Sequence, residues 1–148
     1  MKVRNRHAYD EDFAAWSDEQ ARLLRAGDFD ALDIANVAEE IESLGRSNRH
    51  ELKSRLTVLL AHLLKWRHQP ERRTPSWQLT MLEQRQQIRD LLDESPSLCP
   101  FVDAALSKAH VDARKAAAIE TGLPLEAFPA DCPFALAQIL DDEFYPDA

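Results

Sequence analysis

Carboxylates three residues apart on one helix, with an imidazole on another, are the raw material of a metal centre inside a helical bundle. Glu39, Glu42 and His62 supply those residue types here. The di-iron pattern wants Glu-x-x-His on a helix, whereas this chain has Glu-x-x-Glu, and Arg46 follows Glu42 at the four-residue spacing of a helical ion pair. A solvated acidic face paired with Arg46 is the favoured reading, so no metal and no other cofactor is assigned. His62 titrates near neutral pH, which suits a general base. A base needs a nucleophile or acid within reach, and the sequence nominates none. At the edge of a leucine stripe, beside Val58 and Trp66, His62 reads as a boundary histidine, and no catalytic residue is assigned.

The more suggestive constellation is Arg72 and Arg73 immediately ahead of Thr74-Pro75. A helix start there would offer free N–H groups beside two guanidiniums, a natural anion site. Trp66 and Trp77 flank this loop, and large aromatics beside arginine are typical binding anchors. Trp66, Arg72, Arg73, Trp77 and Arg85 are therefore the candidate binding residues. They lie in a basic middle: residues 46–89 carry ten Lys/Arg and three Asp/Glu, against five and eleven in residues 1–45 and three and twelve in residues 90–148. Nucleic acid is an available partner for that block, through Arg46, Arg49, Lys53, Arg55, Lys65, Arg67, Arg72, Arg73, Arg85 and Arg89, but no DNA-binding signature accompanies it and the acidic flanks oppose a polyanion. Neutralisation within the fold or between subunits is favoured.

The elements that must position these residues read as helices. Ile34, Val37, Ile41 and Leu44 recur at spacings of three and four, and Leu52, Leu56, Leu59, Leu60, Leu63 and Trp66 continue the pattern with the stripe turned around the axis. Gly45, followed by the cap-type residues Ser47 and Asn48, marks a break or bend between the halves. The whole segment is expected to form the core of a bundle, because an isolated helix gains little without tertiary burial. Ahead of it, Asp10 is the expected N-cap of a helix carrying Phe13, Trp16, Leu23 and Leu24 and closed by Gly27. After it, Thr74 and Pro75 form an N-cap and N1 pair for a helix with Trp77, Met81, Ile88, Leu91 and Leu92 on one side and an exposed polar middle, Glu83 to Gln87. A further helix, roughly residues 101–121, is expected to bury Phe101, Val102, Ala105, Leu106, Ala109, Ala113, Ala116 and Ile119 before Gly122. The last stretch is punctuated by proline, with one short helix near Phe134 to Leu140, and should cap the bundle.

Length and composition set the class. The 148 residues suit one domain, residues 9–146, behind a flexible segment 1–8. Three glycines, all after helical-looking segments, argue against a sheet protein and a phosphate-cradling loop. Cys99 and Cys132 are too few and too far apart for a thiolate metal site or a CxxC pair, and with no secretion signal or membrane span apparent they fit a cytoplasmic protein.

Read whole, the chain resembles a family of small bacterial proteins, the domain of unknown function twenty-nine family. The likeness rests on Tyr9-x-x-Asp12-Phe13-x-x-Trp16, on the run from Glu39 to Ser47, on His62-Leu63-Leu64-Lys65-Trp66, Gln69-Pro70-Glu71-Arg72-Arg73, Ser76-Trp77, Gln84-Arg85, Ser95-Pro96-Ser97-Leu98 and Thr121-Gly122-Leu123-Pro124. The resemblance implies an all-helical fold and no established activity. The expectation is an all-α bundle of about five helices with a proline-punctuated C-terminal cap, acting as a protein-protein interaction module that docks to itself or to another cytoplasmic protein through the Trp66 to Trp77 region. Nucleic-acid or anion binding through residues 46–89 is the alternative, and a metal-dependent bundle enzyme the third reading.

Overall fold

The structure, a computed structural model, describes residues 8–147, and the segment expected to be flexible lies outside them apart from Ala8. Every regular element among the described residues is helical: α1 (Phe13–Ala26), α2 (Ile34–His68), α3 (Pro75–Glu94), α4 (Val102–Thr121) and the short α5 (Leu136–Ile139), with 3-10 turns at Pro70–Arg72, Pro96–Phe101 and Leu125–Ala127. This is the expected all-α architecture. Contacts divide the chain into two compact units after Ser47, and α2 contributes residues to both.

In the first unit, Asp12 rather than Asp10 caps α1, its side chain accepting from the Ala15 N–H at 3.0 Å. Residues 8–11 are already helical, so Asp10 sits within that turn. Gly27 closes α1 in the left-handed region, at φ 72°, which glycine adopts without a Cβ penalty. Trp16, Gln20 and Leu23 are buried, while Phe13 and Leu24 from the same expected stripe are half-exposed. The reason lies in how α1 meets α2. The Trp16 indole N–H donates to Asp33 (3.0 Å), the Asp33 backbone N–H donates to Gln20 (2.7 Å), and the Tyr9 hydroxyl donates to the Glu40 carboxylate. The face of α2 turned to α1 is thus Asp33, Asn36, Val37 and Glu40, a hydrogen-bonded seam. Ile34, Ile41 and Leu44 are left 63%, 62% and 70% exposed. The expectation that this half of α2 forms bundle core is corrected accordingly.

Helix α2 also runs unbroken through Gly45, Ser47 and Asn48, against the expected break. Gly45 does not take the positive φ of a cap glycine, and open space surrounds it. Glycine inside a helix costs about 1 kcal/mol relative to alanine. A 35-residue helix anchored by its leucines tolerates that, and Arg46 reaches back past the glycine to bond Glu39 at 2.8 Å and pair with Glu42 at 3.8 Å.

The second unit holds the main core. Leu52, Leu56, Leu59, Leu60, Leu63 and Leu64 of α2, Met81 and Ile88 of α3, and Ala109, Ala113 and Ala117 of α4 are all fully buried, joined by Phe128, Phe134 and Ile139 from the C-terminal segment. The alanines recur every four residues, and their small side chains let another element approach the α4 backbone. Ile119 is nonetheless 83% exposed: two residues beyond Ala117 it lies about 200° further round the helix, on the opposite side. Phe101 is also exposed, because it ends a 3-10 turn instead of lying on the buried face of α4. Thr74 caps α3 by accepting from the Trp77 N–H (3.3 Å), Pro75 takes the first helical position, and Gly122 at φ 73° closes α4.

Candidate functional site

The turn between α2 and α3 gathers Trp66, Arg73 and Trp77, but its side chains are largely engaged with one another. Arg73 stacks on the Trp66 ring, 4.9 Å from guanidinium carbon to ring centroid, and its Nε–H donates to the Trp66 carbonyl at 2.9 Å. The other side of this arrangement is Tyr145, whose ring lies 4.9 Å from that of Trp66. Trp77 receives the Lys65 ammonium at 4.7 Å from its centroid, and Lys65, nearly buried, pairs with Glu120 at 2.6 Å. His62 meets the edge of Trp77 and donates through Nδ1–H to the Val58 carbonyl at 2.8 Å. Burial pushes the His62 imidazole below its ordinary value, with Lys65 adding to the effect and the Val58 carbonyl opposing it. Its surroundings include the Val58 carbonyl, the Trp77 indole, Lys65 and the Glu120 carboxylate that Lys65 holds.

At the start of α3, where an anion site was expected, the two arginines differ in placement. Arg72 is exposed, but Arg73 is turned back onto Trp66, and the Trp77 N–H that an anion would use already donates to Thr74. Arg85 departs furthest from expectation. It lies in the polar middle of α3 yet is fully buried, donating through Nε–H to the Ile139 carbonyl (2.7 Å) and through Nη2–H to the Phe144 carbonyl (2.8 Å), with Tyr145 over its plane at 5.7 Å. Burial draws its guanidinium below the ordinary arginine value, though that value stands so far above neutrality that the group keeps its charge. Arg85 is a clamp on the C-terminal segment. Of the weak metal candidates, Glu39 and Glu42 hold Arg46 and His62 bonds the Val58 carbonyl; no group of three or more His, Cys, Asp or Glu among the described residues is placed to hold a metal ion.

Half of the basic middle meets a carboxylate inside the fold, and two further arginines are held by carbonyls. Seven of its ten cations hold a carboxylate or carbonyl: Arg46, Arg73 and Arg85 as above, Lys53 on Asp112 (2.8 Å), Arg55 beside Glu51 (3.4 Å), Lys65 on Glu120, and Arg89 on Asp142 and the Leu140 carbonyl, both at 2.9 Å. Arg49, Arg67 and Arg72 have no such bond among the described residues. Of these, Arg49 lines a half-open groove of about 210 Å³ formed with His50, Lys53, Phe101, Ala104, Ala105 and Lys108. Charge counting could register Arg49 and Lys53. It could not register the groove, because Phe101 was expected to be buried and Lys108 lies in an acidic third of the chain.

Residues 8–145 match the family model described as "Domain of unknown function DUF29". The chain belongs to this family. No curated protein and no solved structure matches it. Membership in DUF29 therefore accounts for the collinear motifs without assigning a reaction. Within the matched range, the stretch from His62 to Trp77 forms the packed turn described above, and the run from Glu39 to Ser47 lies in the exposed first half of α2. No helix among the described residues is long and apolar enough to cross a membrane.

Proposed function

We propose that this DUF29 chain is a non-catalytic docking module that pairs with a second copy of itself through the first half of α2, in a reducing cytoplasm where Cys99 and Cys132 stay unpaired. The observation that carries this reading is the stripe Ile34, Ile41 and Leu44, exposed on one helix at spacings of seven and three. Such spacing is the seam of a two-helix coiled coil. Exposed apolar residues clustered on one face mark interaction sites, whereas scattered ones need no explanation.

Charge selects the second copy and its orientation. The stripe begins beside Asp28, Asp30 and Asp33 and ends at Arg46, so an antiparallel copy sets acids against arginine at both ends while a parallel one sets like against like. Full burial of a large aliphatic side chain contributes about 1.5–3 kcal/mol, so these partly exposed residues contribute about 1–2 kcal/mol each on both copies. Set against an association cost of about 4–15 kcal/mol, the result is a weak, reversible dimer.

Sedimentation equilibrium tests this directly. Wild type should show a concentration-dependent monomer–dimer equilibrium, and Ile41→Lys or Leu44→Glu should be monomeric with unchanged helicity and urea midpoint, because both side chains face water in the monomer. A wild type that is strictly monomeric at concentrations near 1 mM, where even a −4 kcal/mol association would be half complete, would refute the reading.

A further inference from the structure

The groove at the start of the second unit is independent of that stripe. Its floor is apolar, built from Phe101, Ala104 and Ala105 at the beginning of α4, and its walls are basic: Arg49, His50 and Lys53 from α2 and Lys108 from α4. No carboxylate lines it. Asp112 reaches Lys53 from one helical turn beyond Lys108, and the lysine's hydrogen bond and charge hold the Asp112 carboxyl below its usual range. Arg49 has no carboxylate or carbonyl partner among the described residues. Its guanidinium lies on the Phe101 ring, 4.1 Å from the centroid, with its donors open to solvent. In a chain of net charge −8, Arg49 and Lys108 face this groove without a carboxylate partner among the described residues, while Lys53 beside them is held by Asp112.

Size and charge limit what fits. At about 210 Å³ and half open, the space falls below the roughly 300 Å³ at which small-molecule sites begin, and it is of side-chain scale. A nucleic-acid strand needs a run of cations along its backbone. Here two unpaired cations, Arg49 and Lys108, border one apolar floor, with Lys53 already on Asp112, and acidic segments flank it in sequence. An aromatic plane carrying an arginine, bordered by lysines, is the composition of a protein–protein anchor point.

We propose that this groove docks an acidic peptide segment of another protein, seating one apolar side chain on Phe101, Ala104 and Ala105 while neighbouring carboxylates bond Arg49 and Lys108. Arg49 supplies the bidentate carboxylate contact and Lys108 a point charge on the opposite wall. The floor sets the requirement for an apolar residue within the acidic run.

The probe is a fluorescein-labelled peptide with a central phenylalanine flanked on both sides by glutamates, followed by anisotropy in low salt. Controls are the same peptide with glutamine for glutamate and with glycine for phenylalanine. The titration uses the full chain and its Leu44→Glu variant, so loss of self-pairing and loss of peptide binding are read separately. Binding that weakens about tenfold or more in Arg49→Glu and in Lys108→Glu, falls with salt, and is lost by both control peptides is expected. Phe101→Ser should reduce the phenylalanine peptide to the affinity of the glycine control. Because these side chains are exposed, circular dichroism of each variant should match wild type. Undetectable binding, binding unchanged in both charge reversals, or displacement by a single-stranded oligonucleotide at lower concentration than by unlabelled peptide would each overturn the proposal, the last in favour of nucleic acid.

Discussion

Replacing Arg85 with methionine should be among the most destabilising single changes in this chain outside its leucine core. Methionine retains part of the buried apolar volume, so the change isolates the guanidinium. Two hydrogen bonds from a charged donor are lost, each worth about 1.5–3 kcal/mol, and the Ile139 and Phe144 carbonyls are left without those partners. Two such bonds sum to about 3–6 kcal/mol, from which the desolvation of the guanidinium is recovered, and we expect Arg85→Met to cost about 3–4 kcal/mol. For a chain of this length that lowers Tm by about 10–15 °C. The comparison is Arg89→Ala: this arginine also holds the C-terminal segment, but its pair with Asp142 is well exposed, and about 1 kcal/mol is expected. Urea unfolding followed by circular dichroism gives the free energies, at protein concentrations low enough to keep the chain monomeric. Amide exchange gives the location: the Leu140 and Phe144 N–H groups, bonded to the Leu136 and Asp141 carbonyls, should lose protection in Arg85→Met well beyond any loss in α4. A cost below about 1 kcal/mol, or exchange quickened equally everywhere, would refute the clamp.

Glycine replacements should split by sign. Gly45→Ala should stabilise by about 0.5–1 kcal/mol, since the position is helical and unobstructed, whereas Gly27→Ala and Gly122→Ala should each destabilise by about 1 kcal/mol or more at positive φ; thermal melts decide it, and a destabilised Gly45→Ala would restore the break. Ile119→Ser should change the urea midpoint by less than about 0.5 kcal/mol, while Leu59→Ala should cost about 3–5 kcal/mol. His62 makes stability depend on pH: its folded pKa lies below the unfolded one, so the unfolded chain binds the extra proton first, and the contribution is full above about pH 6.5 and is lost as pH falls below it. Urea midpoints measured at neutral and mildly acidic pH should show a smaller acid loss in His62→Gln than in wild type.

The helices were legible because their signals are local. Thr74-Pro75 at the start of α3, Gly27 and Gly122 after α1 and α4, and leucines once per turn from Leu52 to Leu63 each act within a few residues. What misled was partnership. The stripe Ile34, Val37, Ile41 and Leu44 has the period of a buried face, but α1 docks a quarter-turn away through Trp16, Gln20 and Tyr9, whose hydrogen bonds to Asp33 and Glu40 carry no hydrophobic period. The Gly45 break failed for a similar reason, because a glycine followed by cap-type residues reads the same whether a helix stops or is long enough to continue.

The arginines show why the candidate site was the hardest part to see. A basic middle between acidic ends reads as ion pairs or as a polyanion surface, yet the acceptors that matter most are carbonyls. From Leu123 onward the chain is mostly irregular, so its C=O groups lack the partners a helix or ladder would give them, and buried ones must find donors elsewhere. Arg85 serves Ile139 and Phe144, Arg89 serves Leu140, Arg114 serves Phe128, and the His110 Nε2–H serves Pro129. These side-chain donors replace the regular structure that the proline-rich tail cannot form, and carbonyls leave no mark in a count of charges. Arg49 shares their sequence context and differs in facing no tail. It rests on Phe101 beside Lys108, on the side of α4 turned from the core, and there its donors stay open to a ligand.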